Sequence, residues 1–106
     1  MVQERELVPF LTNVLTRYGA QVEQASIVCK SLVWSDLVGR VTHGVWRFPT
    51  YLKRFRAGLL RCPCNPTIEK TGAGTCRIDG DGGFGHYVGF IAMQNAIEQA
   101  REAGCG

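Results

Sequence analysis

The 106 residues are 45% hydrophobic and 20% charged, a balance that excludes the disordered and fibrous classes and allows one compact core. Lys and Arg total 12 against 9 Asp and Glu, and the resulting charge of +3 is too small to argue for nucleic acid. No apolar run approaches the roughly twenty residues needed to span a bilayer. Five cysteines without C-x-x-C pairs or a signal peptide read as a reduced, cytoplasmic protein.

Leu7, Phe10, Leu11, Val14, Leu15 and Tyr18 fall at helical spacing, and Gly19 follows where a left-handed cap belongs. Proline is tolerated in the first turn of a helix, so Pro9 predicts a start near Leu7. A second stripe, Ala25, Val28, Cys29, Leu32, Val33 and Leu37, runs into Gly39 and predicts an antiparallel helical hairpin. The polar, glycine-flanked stretch 39–44 is a connector. A third stripe through Phe48, Tyr51, Leu52, Phe55 and Leu59 has Pro49 at its first position and Gly58 near its end. Two prolines and two cysteines make 61–66 a loop. Thr67 to Lys70 and Thr75 to Asp79 partly alternate around Thr71-Gly72-Ala73-Gly74, which is hairpin chemistry. Phe90, Met93, Ala96, Ile97 and Ala100 mark a closing helix capped near Gly104. The expected class is α/β: a helical amino-terminal hairpin, then short strands and a strand-turn-helix unit. Residues 1–60 form the helical region, and 61–106 begin the α/β region.

Three features carry possible chemistry. Gly80, Gly82 and Gly85 form a literal G-x-G-x-x-G between a strand and a helix, where backbone N–H groups can cradle a pyrophosphate. The acidic residue expected about twenty positions on, at the end of a second strand, would lie past Gly106, and two aspartates in the loop repel phosphate, so a structural turn is the favoured reading. His43 precedes Arg47 by four residues, and one helical turn would put both on the same side. An imidazole exchanges protons near neutral pH and a guanidinium grips a carboxylate with two parallel bonds, which together suit a carbonyl beside a carboxylate. The bland alternative is a surface pair. Lys53, Arg54, Arg56 and Arg61 read as the wet face of a helix, with an anion- or partner-binding module as the competing function. Cys62-Pro63-Cys64 lacks zinc-knuckle spacing, no metal site is expected, and His86 reads as a helix-start residue.

Ser35-Asp36-Leu37-Val38-Gly39, Thr42-His43-Gly44-Val45-Trp46-Arg47-Phe48-Pro49-Thr50-Tyr51 and Arg54-Phe55-Arg56-Ala57-Gly58-Leu59 resemble the non-Rossmann malate/L-lactate dehydrogenase family. Asp79 to Gly85, Ala92-Met93 and Ala96 to Ala100 fit the same order. The resemblance implies hydride transfer between NAD or NADP and a small 2-oxoacid or 2-hydroxyacid, in a homodimer with a mixed-sheet fold. By the same resemblance His43 is the proton donor and acceptor, and Arg47 binds the substrate acid. Thr42, a substrate-side residue, stands where the family usually has serine, keeping a hydroxyl, while Val38 stands where arginine is common, losing a charge. Family members are much longer, so the expectation is an amino-terminal fragment, inactive alone, with most of the cofactor site lying outside it.

Overall fold

The computed structural model describes residues 2–106. Helix α1 spans Glu4–Arg17 and α2 spans Val22–Leu37. Two 3-10 turns, Val41–His43 and Val45–Arg47, lead into α3 at Phe48–Arg56. Strands β1 (Thr67–Gly72) and β2 (Thr75–Asp79) form an antiparallel hairpin, and α4 spans Gly85–Ala103.

Helices α1, α2 and α3 stop in the same way. After each, a glycine with positive φ turns the chain (Gly19, Gly39, Gly58), and the next residue donates its N–H five positions back. Ala20 N–H reaches the Leu15 carbonyl at 3.2 Å, Arg40 reaches Ser35 at 2.7 Å, and Leu59 reaches Arg54 at 3.0 Å. These bonds satisfy carbonyls that the last helical turn leaves open, so the three glycines place the helix ends where the sequence predicts.

Helix α1 starts three residues earlier than Pro9 predicts. Gln3 and Glu6 fix its first turn: the Gln3 carbonyl accepts from Glu6 and Leu7 at 3.0 and 2.9 Å, and Gln3 N–H reaches the Glu6 carboxylate at 3.4 Å. Pro9 therefore lies inside the helix. Its missing N–H deprives the Arg5 carbonyl of a partner, which is tolerable because both residues are exposed to water. In α3, Phe48 occupies the first position and Pro49 the second.

The core joins Leu11 and Leu15 of α1 to Ala25, Val28, Cys29, Leu32 and Val33 of α2, with Phe48, Cys62 and Phe84 closing it. Residues from both 1–60 and 61–106 thus share one cluster. Phe84 meets Phe55 at 5.9 Å and Tyr51 at 6.4 Å between ring centroids, which ties the start of α4 to α3. Not every stripe residue is buried: Phe10, Tyr18, Leu37 and Leu59 are exposed. In the hairpin Ile68 faces Ile78 and Glu69 faces Arg77, with an irregularity between Lys70 and Gly72. Among the described residues no helix is long and apolar enough to cross a membrane.

Candidate active site

Thr42, His43 and Arg47 come together on the connector between α2 and α3, though not by the single helical turn that their spacing suggests. Gly44 is extended (φ −92°, ψ −159°) and splits the connector into two 3-10 turns. The first is closed by His43 N–H to the Arg40 carbonyl at 2.9 Å and Gly44 N–H to Val41 at 3.0 Å. In the second, Arg47 N–H reaches the Gly44 carbonyl at 3.1 Å. Folding back in this way lets the Arg47 guanidinium approach the Thr42 carbonyl at 3.5 Å. The Thr42 hydroxyl and His43 Nδ1 share a hydrogen bond of 3.0 Å. His43 and Thr42 are exposed and Arg47 is half-buried.

Around them the surface is apolar. Val41 and Trp46 are exposed, Trp46 at 69%, and with Asp36 and Thr42 they line an open cavity of about 360 Å³. Asp36 is the polar residue whose part the sequence reading missed. Its carboxylate accepts from Val45 N–H at 2.9 Å, nine residues away in sequence. The available signal was an acidic residue in the last turn of α2, where a cation would better suit the helix dipole.

The glycine-rich turn is built as structure. Asp81 N–H is bonded to the Asp79 carboxylate at 2.9 Å, Gly83 N–H to the Gly80 carbonyl at 2.9 Å, and the Gly82 carbonyl to Arg61 N–H at 2.8 Å. The Asp81 carboxylate, at positive φ of 52°, accepts from Asn65 N–H at 3.0 Å and from Arg61 at 2.7 Å. Those two partners, the Asn65 amide first, hold its carboxyl below the usual range. A Cβ on Gly83 would overlap the Cys64 side chain, and one on Gly80 would crowd Val88 at 3.0 Å. The Asp81 and Gly83 N–H groups are thus committed inside the turn, and the Asp81 carboxylate adds negative charge that disfavours a phosphate there.

The three buried cysteines, Cys29, Cys62 and Cys64, show no nucleophilic setting. Burial pushes the Cys29 thiol up to about 11, partly offset by the Thr12 hydroxyl, and burial also raises Cys62 and Cys64. Cys62 and Cys64 are tied to Gln21, which caps α2, and to Gln24 in its first turn, and the Gln24 side chain also bonds both the N–H and the carbonyl of Cys64. Within the basic cluster, Arg56 lies 4.6 Å over the Tyr18 ring and Arg61 pairs with Asp81. His86, second in α4, stacks edge-to-face on Tyr51 at 5.0 Å. Among the described residues, no group of three or more His, Cys, Asp or Glu side chains could hold a metal ion.

A helical hairpin, a folded-back connector bearing His43 and Arg47, and a glycine turn leading into α4 make up a mixed α/β arrangement built on one buried cluster. Comparison gives the family directly: the malate/L-lactate dehydrogenase family matches residues 2–106, and the chain belongs to it. It is 38% identical over 105 residues to a malate dehydrogenase of Pyrococcus abyssi, covering 99% of this chain and 29% of that protein. Against an L-sulfolactate dehydrogenase of Methanothermobacter thermautotrophicus the identity is 36%, covering 99% and 31%. The solved malate dehydrogenase of Pyrococcus horikoshii superposes with a TM-score of 0.91 at 35% identity, over 97% of this chain and 30% of that one. The chain thus spans less than a third of the length of these relatives.

Proposed function

We propose that this chain carries the proton-transfer and carboxylate-anchoring part of an NAD- or NADP-dependent oxidoreductase that interconverts a small 2-oxoacid and its 2-hydroxyacid. Family membership and the malate and sulfolactate dehydrogenases among the relatives support the class. The observation that carries the residue roles is the gathering of Thr42, His43 and Arg47 on one short connector, with the imidazole open to solvent. On the same resemblance, and on five cysteines left as thiols, the working enzyme is read as a cytoplasmic homodimer.

In the reducing direction His43 begins as an imidazolium. Its Nδ1–H is donated to the Thr42 hydroxyl, which fixes the ring and leaves Nε2–H to meet the substrate carbonyl oxygen. As the carbonyl carbon is reduced, the Nε2 proton passes to the oxygen, and His43 remains as the neutral Nδ1–H form still bonded to Thr42. Arg47 exchanges its long contact to the Thr42 carbonyl for two parallel bonds to the substrate carboxylate, which holds the carbonyl near His43. The nicotinamide cofactor supplies the electron pair when bound.

Residues 2–106 can be tested in a chimera that replaces the matching segment of the Pyrococcus horikoshii enzyme, assayed with 2-oxoacids and NADH or NADPH. His43→Ala is expected to lower kcat by roughly 10²–10⁴ with a smaller change in KM. Arg47→Lys keeps charge but loses the bidentate fork, so KM should rise more than kcat falls. A His43→Ala chimera turning over within a few-fold of its parent would overturn the reading.

A further inference from the structure

We infer that Asp36 is a positioning residue for the connector, acting as a cap supplied from another helix; this rests on the roles proposed above for His43 and Arg47. The second 3-10 turn begins at Val45, and the residue in its cap position, Gly44, has no side chain to receive the open N–H groups. In place of the Ser, Thr, Asp or Asn that usually caps such a turn, the Asp36 carboxylate reaches across from the last turn of α2 and accepts from Val45 N–H at 2.9 Å. The anchored bond lies between the two functional side chains: His43 is two residues before Val45, and Arg47 two after.

The same carboxylate explains Gly44. Its φ of −92° is open to any residue, so backbone conformation does not require glycine there. A Cβ at Gly44, however, would overlap the Asp36 carboxylate. Asp36 and Gly44 are therefore one device: the missing side chain admits the carboxylate, and the carboxylate does the capping that the missing side chain cannot. The helix end is itself fixed by Gly39 and Arg40, whose N–H groups bond the Asp36 and Ser35 carbonyls at 3.0 and 2.7 Å. Asp36 thus transmits the position of a capped helix end to the His43 and Arg47 side chains, without touching either group's reacting atoms.

The test compares Asp36→Ala, Asp36→Asn, Gly44→Ala and the double variant Asp36→Ala/Gly44→Ala. In the isotopically labelled 106-residue chain, Asp36→Ala should abolish hydrogen-exchange protection of the Val45 amide and the Thr42 to Arg47 cross-peaks. Asp36→Asn retains an acceptor and should keep both. In the chimera, Asp36→Ala should lower turnover by roughly 10–10²-fold through misplacement, with Asp36→Asn recovering most of it. Gly44→Ala should be damaging alone yet add little in the Asp36→Ala background, because the overlapping group is gone. Retained Val45 protection in Asp36→Ala, or equal damage by Gly44→Ala in both backgrounds, would overturn the inference. The magnetic-resonance arm reads geometry without activity, so a His43 that proved dispensable would fail the proposed chemistry while leaving the Asp36 result to stand or fall by itself.

Discussion

Helix α2 buries Ala25, Val28, Cys29, Leu32 and Val33 at helical spacing, whereas α4 carries Phe90, Met93 and Ile97 at the same kind of spacing and leaves them 43%, 61% and 45% exposed. The face that α4 turns inward is mixed, with Tyr87, Val88, Ile91 and Ala92 half-buried and Gln99 buried, its amide donating to Asn95 at 2.7 Å. A periodic apolar stripe therefore shows that a helix has a face suited to burial, but not which element covers it. In α2 the stripe shares one buried cluster with Leu11 and Leu15 of α1 and with Phe48, Cys62 and Phe84. In α4 the stripe borders a cavity of about 890 Å³ shared with Ile27 and Trp34.

The largest effect should come from truncating one residue on each stripe. Leu32 is fully buried, so Leu32→Ala removes packed methyls and leaves a cavity, at a cost of about 2–5 kcal/mol. Met93→Ala removes a side chain already in water and should change stability by less than about 0.5 kcal/mol. Urea unfolding of the 106-residue chain measures both, and comparable losses would mean that the α4 stripe is covered in solution.

A smaller effect is expected at Pro9, where the well-packed region carries a local defect. Pro9→Ala restores the N–H that the Arg5 carbonyl lacks and removes a poor helix former from the sixth position of α1, so stability should rise by about 1–3 kcal/mol. Unfolding midpoints would show it. An unchanged or lower midpoint would mean that the restricted φ of proline stabilises this chain as much as its missing bond costs.

These contrasts mark what was legible in the sequence. Gly19, Gly39 and Gly58 could be read as helix ends because capping is local chemistry, decided within five residues. The stripe of α2 and the hairpin at 67–79 could be read for the same reason. The start of α1 could not, because a single rule about Pro9 outweighed the Gln3 and Glu6 pairing that sets the first turn. At the site, the sequence offers His43 and Arg47 as a pair at helical spacing, but the conformation of the connector that carries them is not legible there. It depends on Gly44 breaking the turn and on a carboxylate arriving from nine residues upstream, and both are tertiary facts with no periodic signal. The glycine turn was legible as structure from its aspartates, yet its actual partners, Arg61 and Asn65, lie about twenty residues away in sequence.

The smallest effect is expected where the two regions meet, at His86. The imidazole is half-buried against Tyr51, and its Nδ1 is buried with no hydrogen-bond partner among the described residues. Burial disfavours the charged ring and holds its pKa below the ordinary 6.5. The unfolded chain takes up a proton as pH falls through about 6.5, while the folded chain resists until its own lower pKa is reached. Over that interval the unfolded state binds more protons, so stability falls as pH is lowered, and it is flat with respect to this group at higher pH. Asp81, whose pKa is also lowered, has the same sign but acts below its ordinary 3.8, and the raised thiols act above 9, so neither contributes between pH 6.5 and pH 5. His86→Gln should leave the urea midpoint at pH 8 within about 1 kcal/mol of the parent and reduce the loss between pH 6.5 and pH 5. If the variant loses as much stability over that interval as the parent, the penalty belongs to another group, and the contact between α3 and α4 does not depend on a neutral ring at this position.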